Sequence, residues 1–134
     1  MLKIHPVCGN TFAIETGMAY LPFYQLNEQE IILLDSGFAS SDRQALTETL
    51  QAHDFRVKGI LCSHAHMDHM GSCAYYQSQG AKLAMSLGEV GQIFDPLGLQ
   101  LQYYNFSLCS FPDYPELGTA PCLPDRIILP GEDS

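Results

Sequence analysis

The sequence has 134 residues, 46% of them hydrophobic, so it is long enough for one domain with a packed core and is not typical of a disordered chain. Fifteen acidic against six basic residues give a formal net charge of -9, which argues against nucleic acid or an anionic membrane as partner and favours a small molecule or a metal ion. The longest strictly aliphatic run, residues 31–34, is too short to span a membrane, and the first residues do not resemble a signal peptide.

The first third of the sequence is predicted to form β-strands. Residues 10–17 alternate in polarity, residues 18–26 continue with aromatic side chains, and residues 31–34 form an apolar run. Because this last run does not alternate, it predicts a strand that is buried on both faces. The segment Asp35-Ser36-Gly37 ends the strand and begins a loop.

Helical spacing replaces strand spacing after residue 41. Ser41 and Gln44 fit a capping box, and the sequence contains no Gly or Pro from there to about His53, so a helix is predicted. The short apolar run at residues 57–62 then predicts a second buried strand, which completes a β-α-β unit.

Shorter elements follow. A helix is predicted from residue 72 or 73 to residue 79, with Gly80 just after its end, and a strand is predicted over residues 82–85. Ser86 and Glu89 fit a second capping box, for a helix that reaches residue 94.

The composition changes in residues 95–125, which are rich in proline and aromatic side chains. This segment predicts an ordered loop rather than regular structure, and residues 126–129 predict one more strand. The aromatic side chains of the loop could form a substrate wall, but the favoured interpretation is that they pin the loop to the core. They are Tyr103, Tyr104, Phe106, Phe111 and Tyr114.

The five cysteines contain no Cys-x-x-Cys pair. This predicts reduced thiols in a cytoplasmic protein, rather than a disulfide framework or a zinc knuckle. Each cysteine is interpreted as a small buried hydrophobic residue, with Cys62 and Cys73 the first candidates for another role.

Three of the five histidines lie within six residues, in the segment Ser63-His64-Ala65-His66-Met67-Asp68-His69-Met70-Gly71. With this composition, the spacing arises by chance in about 4 of 10,000 sequences. Imidazole and carboxylate are ligands that suit zinc, iron or manganese, so a metal site is favoured over a surface cluster of histidines.

The spacing of the segment fits an extended chain that turns into a helix. Residues two apart in an extended chain project to the same side, so His64 and His66 can bind one ion. Asp68 and His69 follow the turn and can face a second ion or a water, and a carboxylate is favoured at the start of a helix. Gly71 lets the backbone pass close to the site.

This segment, preceded in order by Asn10-Thr11-Phe12 and Leu33-Leu34-Asp35-Ser36-Gly37, resembles the metallo-β-lactamase superfamily over about residues 4–94. The resemblance implies an α/β (α+β) fold, an αβ/βα sandwich in which two packed sheets have helices outside. It covers the first half of such a domain, so we expect a single partial domain over residues 1–134.

The resemblance also implies roles for individual residues. His64 and His66 would bind the first metal, and Asp68 and His69 the second, with zinc as the favoured ion and iron or manganese as alternatives. Asp35 would orient a ligating histidine, or would equally well cap its own loop. Asp68 would act in catalysis by holding a metal-bound hydroxide that attacks an ester, thioester, lactone or similar bond of a small-molecule substrate.

The superfamily pattern includes further ligands, but His69 is the last histidine of this sequence. We therefore expect weak occupancy by one or two ions, an open apolar sheet face, and self-association or pairing with a complementary chain. Two functions stay open, a metal-dependent hydrolase and a catalytically silent half-domain that acts as a metal-binding or assembly module. An iron redox protein is less favoured, because the related flavodiiron branch carries glutamate where His66 stands.

Overall fold

A computed structural model describes residues 1–96, 98 and 119–131. Within these residues the chain forms one seven-stranded sheet and four short α-helices, with a 3-10 turn at Leu87–Glu89. The strands are β1 Lys3–Cys8, β2 Thr11–Glu15, β3 Tyr20–Gln25, β4 Glu30–Leu34, β5 Arg56–Cys62, β6 Lys82–Ser86 and β7 Arg126–Ile128. The helices are α1 Arg43–Ala52, α2 Met67–Met70, α3 Cys73–Ser78 and α4 Val90–Phe94.

The strands lie in the sheet in chain order, but their directions change at β4. Pairs from β1 to β4 are antiparallel, and pairs from β4 to β7 are parallel. Parallel strands place their carboxyl ends at the same edge of a sheet. The loops that follow Leu34, Cys62 and Ser86 therefore meet at one edge, and this α+β arrangement confirms the predicted fold class.

One face of the sheet carries the core, because the helices pack there. Apolar side chains of the helices meet fully buried strand residues such as Phe23 and Leu33. The helical members of the core are Leu46, Leu50, Met70, Cys73, Tyr76 and Ile93. No helix among the described residues is both long and apolar enough to cross a bilayer.

The opposite face of the sheet, here called the outer face, is more open than the sequence predicts. Ile31 and Leu33 are fully buried, but the alternate residues Ile32 and Leu34 are only half-buried. The prediction of a strand buried on both faces is therefore wrong for β4 among the described residues. On the neighbouring β5, Leu61 is 40% exposed.

The helix boundaries agree with the predicted ones to within a few residues, but the two predicted capping boxes do not form. Asp42, not Ser41, is the N-cap of α1, and its carboxylate accepts the Phe38 backbone N–H at 3.0 Å. Gly80 follows α3 with a φ of +100°, as expected for a residue just past a helix end. Most of the predicted 95–125 loop, including its five aromatic side chains, lies outside the described residues.

Candidate metal centre

The predicted histidine segment lies at the sheet edge where β5 ends. His66 has extended backbone angles, φ -76° and ψ 150°, and α2 begins at the next residue. This confirms the predicted change from extended chain to helix. Asp68 lies in the first turn of α2 and His69 in its last.

The three imidazole rings of the segment are in contact. The ring centroids of His64 and His66 are 4.4 Å apart, and those of His64 and His69 are 4.0 Å apart. Asp68 joins the group, since its Oδ2 lies 3.2 Å from His69 Nε2. The structure thus brings together the four residues for which the sequence predicts metal binding.

Asp35 reaches this cluster from the end of β4. Its Oδ1 accepts the Ser63 backbone N–H at 2.7 Å, and its Oδ2 accepts the Ser63 hydroxyl at 2.9 Å. The same Oδ2 lies 2.8 Å from His69 Nδ1. Asp35 has a φ of +67°, a conformation that Asp and Asn tolerate better than other residues with a Cβ. Its carboxylate therefore connects the β4 loop to both ends of the histidine segment.

The hydrogen bonds around Asp35 determine which nitrogen of His64 is free. The Ser63 hydroxyl donates to Asp35, so its oxygen accepts from His64 Nδ1, 2.9 Å away. The proton of a neutral His64 is then on Nδ1, and Nε2 keeps its lone pair. Partial burial, and then the neighbouring His69 and His66, lower the pKa of His64, so the neutral, metal-binding form is favoured.

His69 lies between two carboxylates. Its Nδ1 donates to Asp35, because an ionised carboxylate can only accept, and its Nε2 faces Asp68. This Nε2 lies 3.2 Å from Asp68 Oδ2. Imidazole nitrogen and carboxylate oxygen are both metal-ligand atoms, so the two side chains present donors to the same space.

These donors fit a transition-metal ion after a small adjustment. No group of three or more His, Cys, Asp or Glu side chains among the described residues is already arranged to hold an ion. Two imidazoles that share a tetrahedral ion at the usual metal–nitrogen distance have ring centroids about 5 Å apart. The observed spacings of 4.0 and 4.4 Å mean that the rings need to separate by about 1 Å.

Backbone bonds hold the β4 loop against the histidine segment. Ser36 is fully buried, and both its backbone N–H and its hydroxyl donate to the His69 carbonyl, at 2.7 and 3.0 Å. The Ser36 hydroxyl also accepts the Ser72 N–H at 3.0 Å. A Cβ added to Gly71 would lie 2.4 Å from the Gly37 carbonyl oxygen, so this contact requires glycine.

Two polar residues of the site were missed by the sequence interpretation. Ser63 binds both Asp35 and His64, and its position directly before the histidines was the only available signal. Glu89 was predicted to cap its own helix, but its Oε2 instead accepts the Ala65 backbone N–H at 2.9 Å. The capping prediction is wrong because this carboxylate instead accepts a backbone donor far away in the sequence, the Ala65 N–H.

The cysteines differ in burial. Cys62 and Cys73 are buried as predicted, Cys122 is half-buried, and Cys8 is exposed, so the prediction is wrong for Cys8. The Cys62 thiol, at the end of β5, donates to the His64 carbonyl at 3.3 Å and thereby helps to fix the backbone of the histidine segment. The thiols of Cys62 and Cys73 also interact, which raises the pKa of Cys62 and lowers that of Cys73. Cys109 lies outside the described residues.

Comparisons with known proteins agree with this fold. A family profile of the metallo-beta-lactamase superfamily matches residues 21–108. A crystal structure of a subclass B3 metallo-beta-lactamase of Bradyrhizobium japonicum aligns with a TM-score of 0.71 and 20% identity, over 96% of this chain and 46% of that one. A metallo-beta-lactamase from Novosphingobium pentaromativorans aligns with a TM-score of 0.69 and 23% identity, over 96% and 45%.

A third similar structure is the mono-zinc form of a metallo-beta-lactamase from Pseudomonas aeruginosa. Its TM-score is 0.54 at 14% identity, over 68% of this chain and 44% of that one. The chain spans about half the length of the solved structures that it matches. At these identities the structural matches establish the fold alone, and no curated protein matches the sequence.

Proposed function

The chain belongs to the metallo-beta-lactamase superfamily, and on that premise we propose that it acts in the metal-dependent hydrolysis of a small-molecule ester, thioester, lactone or similar bond. The observation that carries the proposal is the contact of three imidazoles with two carboxylates at one sheet edge. Imidazole and carboxylate together form the donor set of hydrolytic zinc sites.

In this proposal His64, His66, Asp68 and His69 hold one or two ions. Zinc is the favoured ion, and a mono-zinc form among the similar structures supports this choice. The bound ion would supply the Lewis acidity that makes water nucleophilic near neutral pH. The free Nε2 of His64 and the oxygens of Asp68 are the donors that the hydrogen-bond network leaves available.

We assign the proton-handling role to Asp68. Its carboxylate is partly exposed at the start of α2, so its oxygens can accept a hydrogen bond from water and take up a proton. Asp35 has a different role, because Ser63 and His69 already occupy both of its carboxylate oxygens. It orients imidazole rings and does not need to touch the substrate.

A second candidate function is a catalytically silent module that binds metal or assembles with other protein. The fact that favours it is the number of available imidazoles. His69 is the last histidine of the sequence, and His5 and His53 bond elsewhere, to Glu15 and to the Thr49 carbonyl. The two candidates differ in one measurable property, which is turnover.

Replacement of His64 and His66 by alanine is expected to weaken zinc binding by about 100-fold or more, because two of the proposed ligands are lost. The measurement is titration calorimetry on the protein after chelator treatment, with metal analysis of untreated protein. His5→Ala is the matched control, since His5 is a partly exposed histidine outside the cluster, and it should leave the affinity unchanged.

Activity is measured on the same proteins. Nitrocefin, a nitrophenyl phosphodiester and a thioester are offered with and without chelator. Turnover that chelator and the double substitution both abolish supports the hydrolase, whereas tight zinc binding without turnover supports the silent module. Equal zinc affinity of the wild-type and doubly substituted proteins would contradict the metal site itself.

We further propose that a second copy of the chain covers part of the outer face. Leu61 and Tyr24 are 40% and 45% exposed there, and a shallow groove beside Leu61 is lined by the half-buried Ile32 and Ala84. Apolar sheet surface of this kind favours association. Light scattering after size-exclusion chromatography should show dimers or larger species at high concentration.

Leu61→Lys should shift this equilibrium toward monomer, because it removes an exposed apolar side chain and adds a positive charge to a groove that Lys58 and Lys82 already line. Leu87→Lys is the control, since Leu87 is similarly exposed but lies on the 3-10 turn after β6. A wild-type protein that stays monomeric at high concentration would rule out the association.

A further inference from the structure

We infer that Glu89 is a positioning residue for the histidine segment, an assignment that rests on the proposed metal site. Glu89 Oε2 accepts the backbone N–H of Ala65 at 2.9 Å. Ala65 lies between His64 and His66 and is 1% exposed. A buried backbone N–H requires a partner, and here the partner is a carboxylate 24 residues further along the chain.

Glu89 and Asp35 hold the segment from opposite sides. In the sheet, β5 lies between β4 and β6, so residues that follow β4 and β6 flank the segment that follows β5. Asp35 comes from the β4 side and accepts the Ser63 N–H, while Glu89 comes from the β6 side and accepts the Ala65 N–H. Alternate backbone N–H groups are thus bound by two different carboxylates.

This bonding explains why the two imidazoles meet. The chain bends at Ala65, so the N–H groups of residues 63 and 65 can reach carboxylates on opposite sides, and the two bonds limit rotation of the backbone on both sides of His64. His66 keeps extended angles, and its ring centroid is 4.4 Å from that of His64. Without the Glu89 bond, the backbone at Ala65 could rotate and separate the rings.

The Glu89 carboxylate is presented by a packed element. Glu89 ends the 3-10 turn and is followed directly by α4, whose Ile93 is fully buried in the core. A rigid support of this kind is what a positioning role requires. An alternative is that Glu89 only adds negative charge near a cation, and an isosteric amide distinguishes the two, since it keeps an acceptor oxygen and removes the charge.

The test compares Glu89→Ala, Glu89→Gln and the control Glu28→Ala, all in the full chain. Glu28 is an exposed acid in the turn between β3 and β4. Two quantities are measured, hydrogen exchange of the Ala65 amide by NMR without metal, and the dissociation constant for Co²⁺ by absorption titration. Circular dichroism checks that each variant is folded.

Glu89→Ala should speed exchange of the Ala65 amide and weaken Co²⁺ binding, each by about 10-fold, as expected when a supporting hydrogen bond of a metal site is lost. Glu89→Gln should restore both quantities to within about threefold of wild type, because its side-chain oxygen still accepts the N–H. Glu28→Ala should change neither.

Two results would overturn the inference. One is Glu89→Ala with unchanged exchange and affinity, and the other is Glu89→Gln as weak as Glu89→Ala, which would leave charge as the only role. If the wild-type chain binds no Co²⁺, the proposed function fails. The exchange of the Ala65 amide, together with the ¹⁵N shifts of the His64 and His66 rings, then still decides whether Glu89 positions the segment.

Discussion

Gly71→Ala is expected to lower the free energy of unfolding by about 3 kcal/mol, a fall in Tm of about 10 °C. The new Cβ would lie 2.4 Å from the Gly37 carbonyl oxygen, 2.5 Å from the Ala39 nitrogen and 2.6 Å from the Met67 carbonyl oxygen. All three are backbone atoms, so no side-chain rotation can relieve the overlap. The backbone angles of Gly71, φ -53° and ψ -33°, suit alanine. The loss of stability would therefore come from the steric overlap and not from backbone strain.

Thermal and urea unfolding measure the effect, and Gly91→Ala is the matched control. Gly91 lies in α4 with no atom within 4 Å of an added Cβ, so the substitution should leave stability unchanged or raise it by about 0.5–1 kcal/mol through helix propensity. If the two variants unfold at the same temperature, the close approach of the β4 loop to Gly71 is wrong.

Asp35→Asn is expected to weaken zinc binding by about 10- to 100-fold and to lower stability by about 1–2 kcal/mol. Asparagine tolerates the positive φ and can still accept the Ser63 N–H through its oxygen. Its amide nitrogen only donates, so it can accept neither the Ser63 hydroxyl nor His69 Nδ1, and the ring of His69 loses its orienting partner.

Asp35→Ala adds backbone strain to the loss of the orienting bonds. It removes every side-chain bond and also places a residue that disfavours positive φ at +67°, so it should cost about 1 kcal/mol more stability than Asp35→Asn. Asp54→Asn is the control, because Asp54 also has a positive φ, 56°, but is exposed and lies outside the site. Zinc affinity that is equal in Asp35→Asn and Asp54→Asn would refute the orienting role.

Much of the fold could be predicted from local pattern. The period of the apolar residues changes from two to nearly four after residue 41, and this alone predicts a helix close to the observed α1. The extended-to-helical turn at His66 also follows from local spacing. The outer face could not be predicted in this way, because the burial of Ile32 and Leu34 depends on what packs against the sheet, and a run of four aliphatic residues does not encode that.

In the candidate site, too, local pattern predicts some features, whereas individual hydrogen-bond partners depend on the tertiary structure. The resemblance points to Asp35 but leaves loop cap and histidine partner equally open, and in the structure its carboxylate accepts the Ser63 N–H and also lies 2.8 Å from His69 Nδ1. Glu89 has the spacing of a capping box with Ser86, and that local pattern led to the wrong assignment. Both carboxylates bind groups that are 24 to 34 residues away in the sequence, whereas capping patterns relate residues only three or four apart.

By itself, the sequence determined the strand and helix periods and a cluster of three imidazoles with a neighbouring carboxylate, because these follow from the spacing of residues adjacent in the chain. Only the tertiary structure decided which carboxylates support that cluster. Parallel pairing of β4, β5 and β6 brings the ends of three separate strands to one edge, and hydrogen-bond partners there are chosen by position in space.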